Sequence, residues 1–198
     1  MCIRDRFLLS GNTAGILSVL YTSIMGLAVP FAPVHLLFIN LLTDSLPALA
    51  IGMEPADAEL LNEKPRDPKT GIMTKDFVVT MLSEGILIAI AAMSAYHIGI
   101  ATSAAMASTM AFATLTLARL FHGFNCRGRE SIFRLGLLSN KYSLYAFGAG
   151  VGLLALVIFV PVLHGVFSIE SLSIQAIGQI VVLSLIHISE PTRRSYIS

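Results

Sequence analysis

Asn40, Thr43 and Asp44 lie within five residues of one another in an apolar run of membrane-spanning length, and Pro47 follows three residues later. A carboxylate at that depth costs roughly 2.5–3.5 kcal/mol on insertion scales, so chains keep one mainly where ions, protons or polar substrates are handled. On an α-helix, residues four apart share a face, which puts Asn40 and Asp44 together with Thr43 beside them. Pro47 has no N–H, so the carbonyl of Thr43 loses its usual helical partner. Carboxylate, amide and freed backbone oxygens within one turn are the ligand set of a hard cation. The plainer alternative is hydrogen bonding between helices, which suits Asn and Thr better than Asp.

These residues must be held by membrane helices. Hydrophobic residues make up 55% of the 198 and charged residues 13%, against about 25% charged in soluble domains. Mean hydropathy is +0.78. The expected fold is an all-α integral membrane bundle of six antiparallel helices, spanning about 7–29, 33–53, 77–100, 104–124, 142–166 and 172–188. Pro30 and Pro33 bracket a tight turn between the first two, with Pro33 suited to an early helical position. Lys and Arg collect in the connections 54–75 and 125–141 and are absent from the other three, which places both charged loops in the cytoplasm. No basic patch suggests nucleic acid. Cys2 and Cys126 give no disulfide framework and no metal-ligand spacing. Residues 1–6 and 185–198 resemble strings that recur at the ends of unrelated translations, as read-through of adapter DNA would produce. They are set apart as non-native tails around a membrane domain at 7–184.

The segment from Asn40 to Pro55, followed by Arg66-Asp67-Pro68, resembles the sixth transmembrane helix and following loop of P-type cation-transporting ATPases of the calcium-pump type, in a bacterial form. The likeness extends through Phe121-His122-Gly123-Phe124-Asn125. It implies that the spans are helices five to ten of a ten-helix transport domain. It also implies that Asn40 and Asp44 coordinate the transported cation, that Thr43 contributes to a second site, and that the helix unwinds here. The family usually has Gly where Ser45 stands. Asn12 falls where the fifth helix carries a liganding Asn. Gly15, three residues on, replaces a Glu of the two-site pumps, and Arg119 replaces their second-site Glu on the eighth helix. Arg119 either snorkels to the cytoplasmic interface or acts as a built-in counter-ion to Asp44. With two carboxylates gone, a single-ion site is the better expectation.

The resemblance further implies calcium export from a bacterial cell, with Ca2+ as the transported ion and Mg-ATP used by the parent pump. The chain itself has no cofactor, and its partners are lipid, the cation, and the N-terminal helices and cytoplasmic domains of the parent. An Asp-Lys-Thr-Gly phosphorylation motif is absent, so this stretch alone is not an ATPase. The loop 54–71 would inherit coupling to the phosphorylation domain. Alternatives are a pump for Na, K, Mg, Mn or H, or a stand-alone six-span transporter or scaffold. That last reading predicts an inverted repeat with a second interrupted helix, and the second half of the chain shows no matching Asn-xxx-Asp-xx-Pro element.

Other polar and small residues have plainer expectations. Glu84, two turns into the third span, reads as solvated at the interface. His97 and His164 read as interfacial, and His35 and His122 as packing or interfacial, with no two histidines forming a metal pair. Gly148 and Gly152 make a small-xxx-small face for close helix packing. The glycine run around them fails as a nucleotide loop because no strand precedes it.

Overall fold

The computed structural model describes residues 3–53, 74–126 and 141–185, all of them helical or in short connections. The loops 54–73 and 127–140, which carry most of the charges used for orientation, lie outside the described residues, as does 186–198.

Helix α1 (Ile3–Ile24) starts inside the segment set apart as a tail, and it stops five residues short of 29. Apolar residues continue past its end, but Gly26 adopts φ +64°. The Leu27 N–H reaches the Thr22 carbonyl at 2.8 Å, and the Gly26 N–H reaches Ser23 at 3.3 Å. That pair of bonds closes a helix C-terminus and requires a left-handed residue, which glycine supplies at little cost. Hydropathy extended the span, and glycine chemistry ended it.

Pro33 opens α2 (Pro33–Phe38) at a first-turn position, where its missing N–H costs nothing. The helix continues as a π-helical segment, Ile39–Thr43, and then as α3 (Ser45–Gly52). The Asp44 N–H donates to the Ile39 carbonyl five residues back, at 2.8 Å. The family resemblance implied unwinding here. Among the described residues the span instead widens by one turn and stays helical.

Helix α4 (Lys75–Ile100) begins on Thr74, whose hydroxyl accepts the Phe77 N–H at 3.4 Å. It pairs with α5 (Ala104–Asn125) across a very short connection. The two backbones nearly touch, since a Cβ built on Gly99 would lie 2.7 Å from the Ala107 Cα. The expected fifth span is two helices, α6 (Lys141–Phe159) and α7 (Pro161–Phe167), separated at Val160. Pro161 cannot donate back into α6, so the helix restarts. Helix α8 (Ile174–Leu185) is apolar but 12 residues long where the description ends. Among the described residues five helical stretches, Asp5–Ile24, Pro33–Gly52, Lys75–Ile100, Ala104–Gly123 and Lys141–Phe159, are long and apolar enough to cross a membrane. The fold is an all-helical membrane bundle.

Helix α5 occupies its centre. Every residue from 109 to 120 is buried, against α1, α3, α4, α6 and α8. A helix buried on all sides belongs to a core rather than to a lipid-facing rim. The rim is apolar elsewhere: Ile16, Leu20, Val79 and Ile90 are all exposed, as lipid contact requires. At one end of α5, His35 stacks on Phe112 with centroids 4.3 Å apart. Its Nε2 donates to the Phe167 carbonyl at 2.6 Å, and its Nδ1 accepts the Ala32 N–H at 3.1 Å. His35 is thus a packing residue that ties α2 to α7. The small-residue expectation moves by two positions. Gly148 and Gly152 are exposed and have no atom near them, whereas a Cβ on Gly150 would lie 2.5 Å from Leu120.

Candidate functional site

Asp44 and Arg119 meet in the middle of the bundle. Each is 2% exposed, and the guanidinium Nη2 is ion-paired with Asp44 Oδ2. The same Nη2 donates to Asn12 Oδ1 at 3.1 Å. Three helical stretches therefore converge: α1 brings Asn12, the π segment ends at Asp44, and α5 brings Arg119. The snorkelling alternative for Arg119 does not hold in this packing, because α5 is enclosed where Arg119 stands and the guanidinium turns inward to Asp44.

Backbone shape makes room for it. A Cβ on Gly11 would lie 2.5 to 2.7 Å from the Nε, Nη2 and Cζ atoms of Arg119. A guanidinium can lie against α1 only because Gly11 has no side chain. Gly15, one turn on, has no atom within 4 Å of such a position, so there is space beside it.

The pair is incompletely satisfied. Asp44 Oδ1 and Arg119 Nε have no hydrogen-bond partner among the described residues. Buried polar atoms are nearly always partnered, and an exception asks for an explanation such as a ligand. An unpartnered buried carboxylate oxygen is suited to a cation or a proton.

The four expected ligands are not brought together evenly. Asn12 and Asp44 share the Arg119 guanidinium. Thr43 is buried, with its hydroxyl donating to the Ile39 carbonyl at 2.8 Å, which leaves its oxygen able to accept or ligate. Asn40 is exposed. The shared face expected for Asn40 and Asp44 is a property of a uniform α-helix. The π turn between them holds an extra residue, so the helix phase after it is offset from the phase before it.

Glu84 also departs from expectation. It is 5% exposed and paired with Arg6 from α1, with Arg6 Nε donating to Oε2 at 3.1 Å. Position along the span suggested solvent. What decides is that Gly85 lets α1 approach closely, a Cβ there lying 3.0 Å from the Ser10 carbonyl oxygen. His122 is 1% exposed and shares a hydrogen bond with Ser10 Oγ at 2.8 Å. His97, exposed, meets Tyr21 at 2.8 Å, and His164 bonds the Ile158 carbonyl at 2.8 Å. Sequence reasoning missed Gly11 altogether. A glycine next to the candidate ligand Asn12 was the available signal.

Comparison with known proteins gives one family and a consistent set of relatives. Residues 28–189 match the family model described as cation transporting ATPase, C-terminus. The chain is 37% identical over 166 residues to a calcium-transporting ATPase of Bacillus subtilis, covering 82% of this chain and 18% of that protein. It is 38% identical over 166 residues to calcium-transporting ATPase 1 of Lactococcus lactis, covering 83% and 19%. To calcium-transporting ATPase type 2C member 1 of Mus musculus it is 32% identical over 173 residues, covering 85% and 19%. The chain thus spans less than a fifth of the length of these relatives.

Proposed function

Because the chain belongs to the cation-transporting ATPases, in their C-terminal membrane region, we propose that it carries part of the membrane cation site of a pump exporting calcium across a bacterial plasma membrane. ATP would be hydrolysed by cytoplasmic domains of a parent protein that lie beyond this chain. The observation that carries the reading is the buried Asp44 carboxylate, with one oxygen held by Arg119 and the other unpartnered.

In this reading Asp44 is the principal ligand, and Asn12 and Thr43 add oxygens. Asn40 is exposed in this packing, so its role as a ligand depends on the parent's other helices. Calcium takes 6–8 oxygens, so the cage is completed by groups outside this chain. Arg119 stands where a second divalent ion would need a carboxylate. Its charge opposes occupancy there and balances Asp44 when the first ion leaves. One calcium per cycle follows. Residues 54–71 are read as the coupling loop to the phosphorylation domain.

The test is phosphorylation of the complete parent pump. Asp44→Asn is expected to abolish calcium-dependent phosphorylation from ATP while leaving phosphorylation by inorganic phosphate. Wild-type calcium dependence in that variant removes Asp44 from the site. Phosphorylation of the unmutated pump that ignores calcium but responds to another cation moves the reading to that ion.

A further inference from the structure

A second polar cluster lies one turn along α5 from Arg119, away from the cation site. His122 and Cys126 are four apart and share a face of the helix end. Glu84 of α4 meets them there. All three are buried, at 1%, 1% and 5% exposure. Cys126 Sγ is 3.3 Å from His122 Nε2, and Glu84 Oε2 is 3.6 Å from the same nitrogen. The three donor atoms lie within 4.8 Å of one another.

We propose that Glu84, His122 and Cys126 form a binding site for a borderline-soft divalent metal ion of the zinc type, separate from the transported cation. The donor set selects the metal. Thiolate and imidazole suit zinc, cobalt or cadmium, whereas calcium demands many oxygens. Edge lengths agree as well. With Zn–N about 2.0–2.1 Å, Zn–S about 2.3 Å and Zn–O about 2.0–2.2 Å, tetrahedral N···S and N···O edges come to about 3.5 and 3.4 Å. The two measured edges differ from these by about 0.2 Å. Three protein donors leave a fourth position, which Ser10 Oγ, already 2.8 Å from Nε2, or a water can take.

The surroundings are those of a supported site. Phe7 stacks on the His122 ring at 5.9 Å and covers it. Arg6 grips the Glu84 carboxylate through both oxygens, Nη2 on Oε1 and Nε on Oε2 at 3.1 Å, and the second lone pair of Oε2 stays available to the ion. Binding displaces the Cys126 thiol proton to solvent, so affinity rises with pH. The ion would pin α5 to α4 and, through Ser10, to α1, at the end of α5 from which the 127–140 connection leaves.

Cobalt titration of the full chain in detergent micelles, in a Cys2→Ser background, tests this. The expected result is a sulfur-to-cobalt charge-transfer band with the intense visible bands of four-coordinate cobalt, saturating at one equivalent and displaced by zinc. Cys126→Ser is expected to abolish the charge-transfer band, and His122→Gln to weaken zinc binding by at least about 10-fold. Asp44→Asn is expected to leave the band unchanged. A six-coordinate spectrum without charge transfer, or a band that survives Cys126→Ser, overturns the site. Loss of the band in Asp44→Asn overturns its separateness from the cation site.

Discussion

Gly11→Ala distinguishes the packing of Arg119 from ordinary helix energetics by the sign of its effect. In a helix interior, alanine is more favourable than glycine by about 0.5–1 kcal/mol. A free surface of α1 would therefore gain stability from the change. The structure gives the opposite expectation, because the new methyl would lie 2.5 Å from Arg119 Nε and 2.6 Å from Nη2. Carbon and nitrogen rest comfortably at about 3.5 Å, so the guanidinium must withdraw by about 1 Å. Its Nη2 is held by both Asp44 and Asn12, the latter at 3.1 Å. Overpacking costs about 1–3 kcal/mol, and separating a buried ion pair costs up to about 3–5 kcal/mol. A net loss of about 1–3 kcal/mol is expected once the helix gain is subtracted. Equilibrium unfolding of the purified chain in mixed micelles reads this, together with Arg119→Met and the double variant. If the methyl acts through the guanidinium, the penalty disappears in the Arg119→Met background, where alanine regains its small advantage. A stabilised Gly11→Ala, or a loss of equal size in both backgrounds, refutes the reasoning.

Arg119→Glu in the parent pump restores a carboxylate where the two-site pumps have one. It is expected to change the calcium-to-ATP ratio or the calcium affinity, and unchanged values for both would return Arg119 to a structural role. Gly99→Ala places a methyl 2.7 Å from the Ala107 Cα, where only backbone can yield. It is expected to lower unfolding stability by about 1–3 kcal/mol, measured in the same micelles. His35→Phe keeps the stack on Phe112 but strands the Phe167 carbonyl and the Ala32 N–H. At about 1–3 kcal/mol for each buried group left unpaired, the variant is expected to unfold well before the parent, and a stability equal to wild type would mean that water replaces both bonds.

The spans were legible because membrane length and apolar composition are properties of the residues alone. Asp44 stood out for the same reason, as a cost that needs a return. Arg119 was ambiguous, since being a turn and a half from Asn125 is compatible with snorkelling. Only the enclosure of α5 by five other helices removes that route. The exposure of Asn40 was hidden because reading faces at 3.6 residues per turn assumes an unbroken pitch, and the π turn breaks it. Glu84 was misjudged by depth. Its partner, Arg6, is 78 positions away, and Gly85 brings α1 within reach. The ends of α1 and α6 were open to better reading, since Gly26 and Pro161 are both explicit stop signals that hydropathy overrode. His122 and Cys126 were each considered, but by pairing histidine with histidine and cysteine with cysteine rather than across types.

The burial of α5 over residues 109–120 has a consequence for how the chain enters a membrane. Lipid alone holds a helix bearing Arg119 poorly, at a cost of roughly 2.5–3.5 kcal/mol on insertion scales. The groups that answer its charge, Asn12 and Asp44, and those that meet His122, Ser10 and Glu84, all precede α5 in the chain. Synthesis from the N-terminus delivers these acceptors to the bilayer before the helix that needs them. The order of the helices along the sequence thus doubles as an order of biogenesis, in which α5 is received by partners already in place and α6 and α8 close over it afterwards.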